Sequence, residues 1–254
     1  EGEDSVIARI LDGKKAVYKV PLPKRNEEKK AILETYTKEY SAEYQAQALI
    51  DIAIKLKKKI KNLNEIKKID IYTSHHTHYV IGTGANDPQK MDPNASRETL
   101  DHSIMYIFAV ALEDGRWHHI KSYTKKRAKR KSTIKIWHSI KTHEDKTWTR
   151  KYHDPNPKNK SFGAKVIVTL NNGEKFIESL NKADAHPYGL RPFKRKDYIN
   201  KFLTLTKNII TKKESDRFIN QVQKIKKIRP GHLHKLNISV KKSSLKRNNK
   251  KGIF

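Results

Sequence analysis

The stretch SAEYQAQALIDIAIKLKKKIKNLNEIKKIDIYTSHHTHYVIGTG, residues 41–84, decides how the fold is read. Ala42, Ala46, Leu49, Ile50, Ala53, Ile54 and Leu56 recur at three- and four-residue spacing, the period of a helix with one apolar side. The pattern predicts an amphipathic helix from Ser41 to about Lys61, with Ser41 as its N-cap. Asn62–Asn64 ends it. Ile66, Ile69, Ile71 and Thr73 then predict a half-buried strand, and a histidine-rich segment follows it directly as an exposed turn.

Outward from this stretch, helices and strands continue to alternate irregularly. Ser96 is a candidate N-cap for a second helix, with Ile104, Ile107, Phe108, Ala111 and Leu112 on its apolar side and Gly115 closing it. Thr133–His143 reads as a third, because Ile134, Trp137 and Ile140 stand three apart. Ala164–Leu170 and Lys175–Leu180 alternate as strands, joined by Asn171-Asn172-Gly173, a hairpin turn signal. Two amphipathic helices follow, Arg195–Ile210 and Lys213–Lys226. Upstream, the apolar run Val6–Leu11 leads to Pro21-Leu22-Pro23, a connector that no regular helix can cross. Without a regular βαβ repeat, the expected class is α+β.

Composition bounds the chemistry. The 254 residues hold no cysteine, which excludes disulfides, thiolate nucleophiles and Cys-ligated zinc or iron–sulfur clusters. No apolar run has the length of a membrane span and no signal-like segment opens the chain, so a cytoplasmic protein is expected. Residue 1 is Glu, and Glu1-Gly2-Glu3-Asp4 reads as a loop joined midway, so a fragment is expected. The net charge is +29, from 56 Lys and Arg against 27 Asp and Glu. That balance raises a basic nucleic-acid-binding module as an alternative. Lysine outnumbers arginine 44 to 12, however, and is spread over most of the chain with Asn and Ile beside it. Arginine forks are what phosphate and base-edge readers favour, so the excess reads as solvated surface and nucleic acid is not an expected partner. Lys241–Lys251 carries no acid and reads as a loose basic tail.

Nine of the twelve histidines lie between His75 and His153. In Ser74-His75-His76-Thr77-His78-Tyr79, two histidines three apart can meet on a helix face, yet no carboxylate stands at ligand spacing, so no metal site is read. Neutral imidazoles beside a tyrosine hydroxyl can equally form the edge of a carboxylate-binding site. Gly82-Thr83-Gly84 lacks the context of a dinucleotide fingerprint, and no P-loop, HExxH or GxSxG motif occurs. Lys38, between Tyr36 and Tyr40 and just before the first helix, is a candidate anion-binding lysine.

Four strings are specific. Tyr36–Gln47, Ser74–Pro88, Ser96–Tyr106 and Ala183-Asp184-Ala185-His186-Pro187 occur in the order found in the MmgE/PrpD family, and the chain resembles the C-terminal, lid-containing part of its 2-methylcitrate dehydratases. The resemblance runs from Glu1 to Phe254. It implies an all-helical domain and an α+β lid of mixed helices and a short sheet, inserted before the chain returns to the helical domain. Residues 1–33 would end the main helical segment and connect it, 34–192 would be the lid, and 193–254 the returning helices and basic tail. The large helical part would be missing from this chain, which is expected to be inactive alone, and a homodimer is expected for the full-length form.

The implied reaction dehydrates 2-methylcitrate to 2-methyl-cis-aconitate in propionate catabolism, with no cofactor and no metal; a cis-aconitate decarboxylase-like or other hydro-lyase activity is the alternative. The partner is a tricarboxylate substrate. Lys38 is implied as a carboxylate clamp and Tyr79 as a hydrogen-bond donor or acid. Glu43, Gln45, His75, His76, His78, Arg97, His102 and His186 are implied as substrate-binding positions. Many members have proline at the position of Ser41 and histidine in or near the Glu43–Gln45 stretch, where this sequence departs from them.

Overall fold

The structure, a computed structural model, describes residues 24–27, 35 and 37–240. The Val6–Leu11 run, the Pro21–Pro23 connector and the Lys241–Lys251 tail lie outside the described residues. The described residues from Thr37 onward form one compact unit. Its α-helices are α1 (Gln47–Lys59), α2 (His75–Ile81), α3 (Arg97–Asp101), α4 (Ile104–Asp114), α5 (Lys125–Ala128), α6 (Lys131–His138), α7 (Lys146–Tyr152), α8 (Arg195–Thr206) and α9 (Lys212–Gln223).

Four strands, β1 (Ile66–Thr73), β2 (Ile140–Glu144), β3 (Ala164–Leu170) and β4 (Lys175–Leu180), form one sheet in the order β2-β1-β3-β4. β1 runs parallel to β2, with Ile69 opposite Ile140, and antiparallel to β3, with Ile71 opposite Val166. β3 and β4 are the expected hairpin, and Gly173 at its turn has φ +89°, a conformation open to glycine at little cost. The fold is α+β, as the sequence predicts.

Helix α1 packs on one sheet face, and α4 packs on α1 within the same core. Every side chain of α4 from Ile104 to Leu112 is buried, so this helix is enclosed on all sides. Leu49, Ile52, Ala53 and Leu56 of α1 join Ile69, Ile71, Val166 and Val168 of the sheet in the same cluster. Each fully buried Ile or Leu contributes about 1.5–3 kcal/mol of transfer free energy. Lys57, Lys58 and Lys59 close α1 where cations suit the helix dipole. On the opposite sheet face the alternate residues Lys68 of β1, Lys141 of β2 and Lys165 of β3 are exposed. No helix among the described residues is long and apolar enough to cross a membrane.

Several boundaries differ from the sequence reading. The first helix begins at Gln47, not at Ser41, and ends at Lys59. The histidine-rich segment is helical, α2, because the Ser74 hydroxyl caps it by accepting from the Thr77 N–H at 3.2 Å. Ser96 does cap a helix, but that helix stops at Asp101, and Ser103 caps α4 in turn through the Tyr106 N–H. Gly115 closes α4 with φ +63°. The third helix ends at His138, and Ile140–Glu144 is strand β2. Ile140 and Thr142 bury at period two while β1 offers its backbone groups to the new strand, and that pairing outweighs the helical spacing of Ile140. The last two helices are shorter than expected, ending at Thr206 and Gln223.

Candidate functional site

Residues 37–43 approach α1 as an irregular turn held by the side chain of Gln47, which is itself buried. Its oxygen accepts from the Tyr40 N–H at 2.9 Å. Its NH2 group donates to the carbonyls of Tyr40 and Ala42, each at 3.1 Å, and of Glu43 at 3.2 Å. This arrangement leaves Ser41 outside the helix. The Ser41 carbonyl instead accepts from the Trp117 indole N–H at 3.1 Å and the Tyr123 hydroxyl at 3.0 Å. Glu43 takes over the cap, its carboxylate accepting from the Gln45 N–H at the start of a 3-10 turn, Tyr44–Ala46, that runs into α1.

Glu43 is the centre of the first group. Burial pushes its carboxyl above the usual range, while the N–H groups of Gln45 and Tyr44 and the charges of Lys38 and His102 pull it back down. Lys38 is half-buried, and its carbonyl accepts from the Lys201 ammonium of α8. The Gln45 amide bridges outward from Glu43. With its NH2 group turned to the carboxylate, its other end lies 3.4 Å from the Tyr152 hydroxyl on α7. Tyr152 stacks on the His76 ring at 5.3 Å between centroids and meets Phe162 edge-on at 4.8 Å. Burial raises the Tyr152 hydroxyl above its ordinary value, and burial with the nearby His153 and His75 lowers His76 below its own. Near neutrality this group therefore presents a neutral imidazole, a protonated phenol, a lysine and a carboxyl displaced towards its acid form.

The second group lies along α2. Tyr79 is about half exposed, and its ring contacts His75 and His78, each at 4.5 Å. His75 pairs through Nδ1 with the Glu144 carboxylate at 3.0 Å, and its N–H donates to the Thr149 hydroxyl at 2.8 Å. His78 Nδ1 lies 2.6 Å from the Thr142 hydroxyl, with its pKa lowered by burial and by His143. The structure thus joins His76 to the Glu43 group through Tyr152, and His75 and His78 to Tyr79.

The remaining predicted residues stand elsewhere. Arg97 lies over the Tyr123 ring at 5.0 Å and donates to the His119 carbonyl at 3.2 Å. His102 ends α3 with Nδ1 3.0 Å from the Glu98 carbonyl, and reaches the first group through its electrostatic effect on Glu43. His186 is buried and its pKa falls to about 4, from burial first and from Lys182 second. Its Nδ1 accepts from the Tyr188 N–H at 3.0 Å, so it serves as a neutral turn-forming residue. Among the described residues no group of three or more His, Cys, Asp or Glu is placed to hold a metal ion.

Tyr152 and Gln47 are the residues that sequence reasoning missed. Gln47 left a signal, a polar residue among apolar neighbours in the first helical turn. Tyr152 left none, because 107 residues separate it from Gln45.

A family model described as the MmgE/PrpD C-terminal domain matches residues 40–227, from the turn before α1 to just beyond α9. The match covers most of the chain and takes in both residue groups except Lys38, so the chain belongs to the MmgE/PrpD family through that C-terminal domain.

Proposed function

We propose that the group around Glu43 is the carboxylate-binding and proton-transferring edge of a cluster-independent hydro-lyase that dehydrates 2-methylcitrate to 2-methyl-cis-aconitate. Family membership supports a lyase-type enzyme, since the family includes dehydratases and other hydro-lyases. The observation that carries the finer reading is the chain of contacts from the displaced Glu43 carboxyl through Gln45 and the Tyr152 hydroxyl to the His76 imidazole, with the charge of Lys38 acting on Glu43.

Dehydration needs a base for the C–H proton beside a carboxylate, an acid for the departing hydroxyl, and cations facing the carboxylates. In the proposal Lys38 neutralises one carboxylate, and the neutral His76 is a base of suitable form. Tyr152 or Tyr79 protonates the departing hydroxyl, which leaves as water while the C–H electron pair becomes the double bond. Residues 34–192 form the lid in this reading, and 193–254 the helices that return to an all-helical domain facing the same pocket. A homodimer in the cytoplasm belongs to the same proposal. A cis-aconitate decarboxylase-like reaction is the alternative within the family.

Calorimetric titration with 2-methylcitrate and with cis-aconitate tests the reading. Saturable binding of 2-methylcitrate is expected, weakened at least about tenfold by Lys38→Ala. No binding, or binding indifferent to Lys38, overturns it; preference for cis-aconitate favours the decarboxylase reading.

A further inference from the structure

We propose that the cavity between the end of α7, the 153–160 loop and the segment following β4 binds a small molecule carrying a diphosphate group. The cavity holds about 610 Å³, within the range of sites for small organic ligands. It shares no lining residue with the Glu43 group. Three lysines, Lys151, Lys158 and Lys182, line it against a single carboxylate, Asp154, a local charge of +2.

Two of the three ammonium groups are held in place before any ligand arrives. Lys151 lies over the Trp148 ring at 4.6 Å and donates to the Asn181 side-chain oxygen at 2.8 Å. Lys182 donates to the Lys160 carbonyl. Both are half-buried, so each gives up less rotamer freedom on binding than a free surface lysine. Burial, and then the charge of Lys151, lowers the Lys182 pKa, an electrostatic cost that a bound anion removes.

The number and spread of the donors point to the class of anion. The three lysines act as point charges, and phosphate oxygens suit such donors. Two linked phosphates carry more negative charge than a single carboxylate and present oxygens to all three ammonium groups. Tyr188 and Leu190, both largely exposed at the rim, offer apolar surface for the organic part.

Calorimetric titration of the 254-residue chain with pyrophosphate, and with ADP, at physiological ionic strength tests this. One saturable site is expected, weakened at least about tenfold in Lys151→Met/Lys182→Met. Lys141→Met/Lys165→Met, which removes the same charge from the exposed sheet face, is expected to leave affinity within about twofold. Citrate is expected to bind this site at least about tenfold more weakly than pyrophosphate. Absence of saturable binding, equal losses in the two double variants, or a citrate affinity that equals that of pyrophosphate and falls with the cavity lysines would overturn the assignment. If the cavity double variant does not fold, Lys158→Met at an exposed position carries the test. About threefold weaker binding is then expected, and unchanged affinity refutes the site.

Discussion

The Tyr40 hydroxyl donates to the Asp51 carboxylate across 2.7 Å, tying the turn that precedes α1 to the helix itself. The second oxygen of Asp51 accepts from the Asp184 N–H at 2.8 Å, so one buried carboxylate holds both the Lys38 turn and the 184–191 segment. Arg191 and Glu39 pair across the same junction at 2.6 Å. Burial outweighs these hydrogen bonds and raises the Asp51 pKa to about 6. A carboxyl raised in the folded state favours folding most fully below its unfolded pKa, and that contribution is lost as pH rises through about 6.

The first prediction follows from that sign. Relative to wild type, Asp51→Asn gains stability as pH rises from about 4 to about 7, by roughly 2–3 kcal/mol on the scale of 1.4 kcal/mol per unit. Urea denaturation of both proteins across this window measures the difference. A difference that stays flat or falls with pH would show that Asp51 is charged and well solvated.

Lys38 provides the catalytic prediction. In the assembled enzyme, Lys38→Ala is expected to lower kcat/KM by about 2–4 kcal/mol of transition-state stabilisation, and Lys38→Arg not to restore it fully. Tyr152→Phe is expected to lower kcat more than it changes KM, which would separate proton transfer from binding. Lys58, exposed on α1, is the control; Lys55 is unsuitable because it pairs with Asp184 at 3.3 Å. Ultraviolet absorbance of the unsaturated product reads all four variants, and equal rates for the Lys38 and Lys58 variants would refute the assignment.

Arg127 is a structural counterpart. Its buried guanidinium donates through Nε and Nη2 to Asp114, both at 3.0 Å, pairs with Glu113 at 2.8 Å and reaches the Thr133 hydroxyl. These bonds fasten α5 and α6 to the end of α4. Arg127→Met is expected to cost about 3–5 kcal/mol, because it leaves two carboxylates without their buried cation. Chemical denaturation measures it, and a loss under about 1 kcal/mol would place the pair in the weak surface class.

Two glycines are predicted to resist substitution for different reasons. A Cβ at Gly163 would run into the carbonyls of Leu180 and Asn181 and the Trp148 ring. Gly163→Ala is therefore expected to cost at least about 2–3 kcal/mol, within the overpacking range. At Gly173 nothing lies within 4 Å, and only its positive φ opposes a side chain, so Gly173→Ala should cost about 1 kcal/mol. Thermal unfolding of both variants would expose an error if the order were reversed.

What the sequence settled by itself is whatever neighbours in the chain decide. The β3–β4 hairpin, strand β1, the Ser96 cap and the Gly115 stop were all legible, because turn chemistry, alternation and capping act over a few residues. Lys38, Glu43 and Gln45 came forward as candidates through the strings that resemble the family. Tertiary structure decided what depends on distant partners. The Gln47 amide moved the start of α1, and the open edge of β1 turned Ile140–Glu144 from helix into strand. The packing of α7 brought Tyr152 to the Gln45 amide and the His76 ring. Local spacing carries no record of such contacts, since their energy arises only once the chain has closed between residues far apart in it.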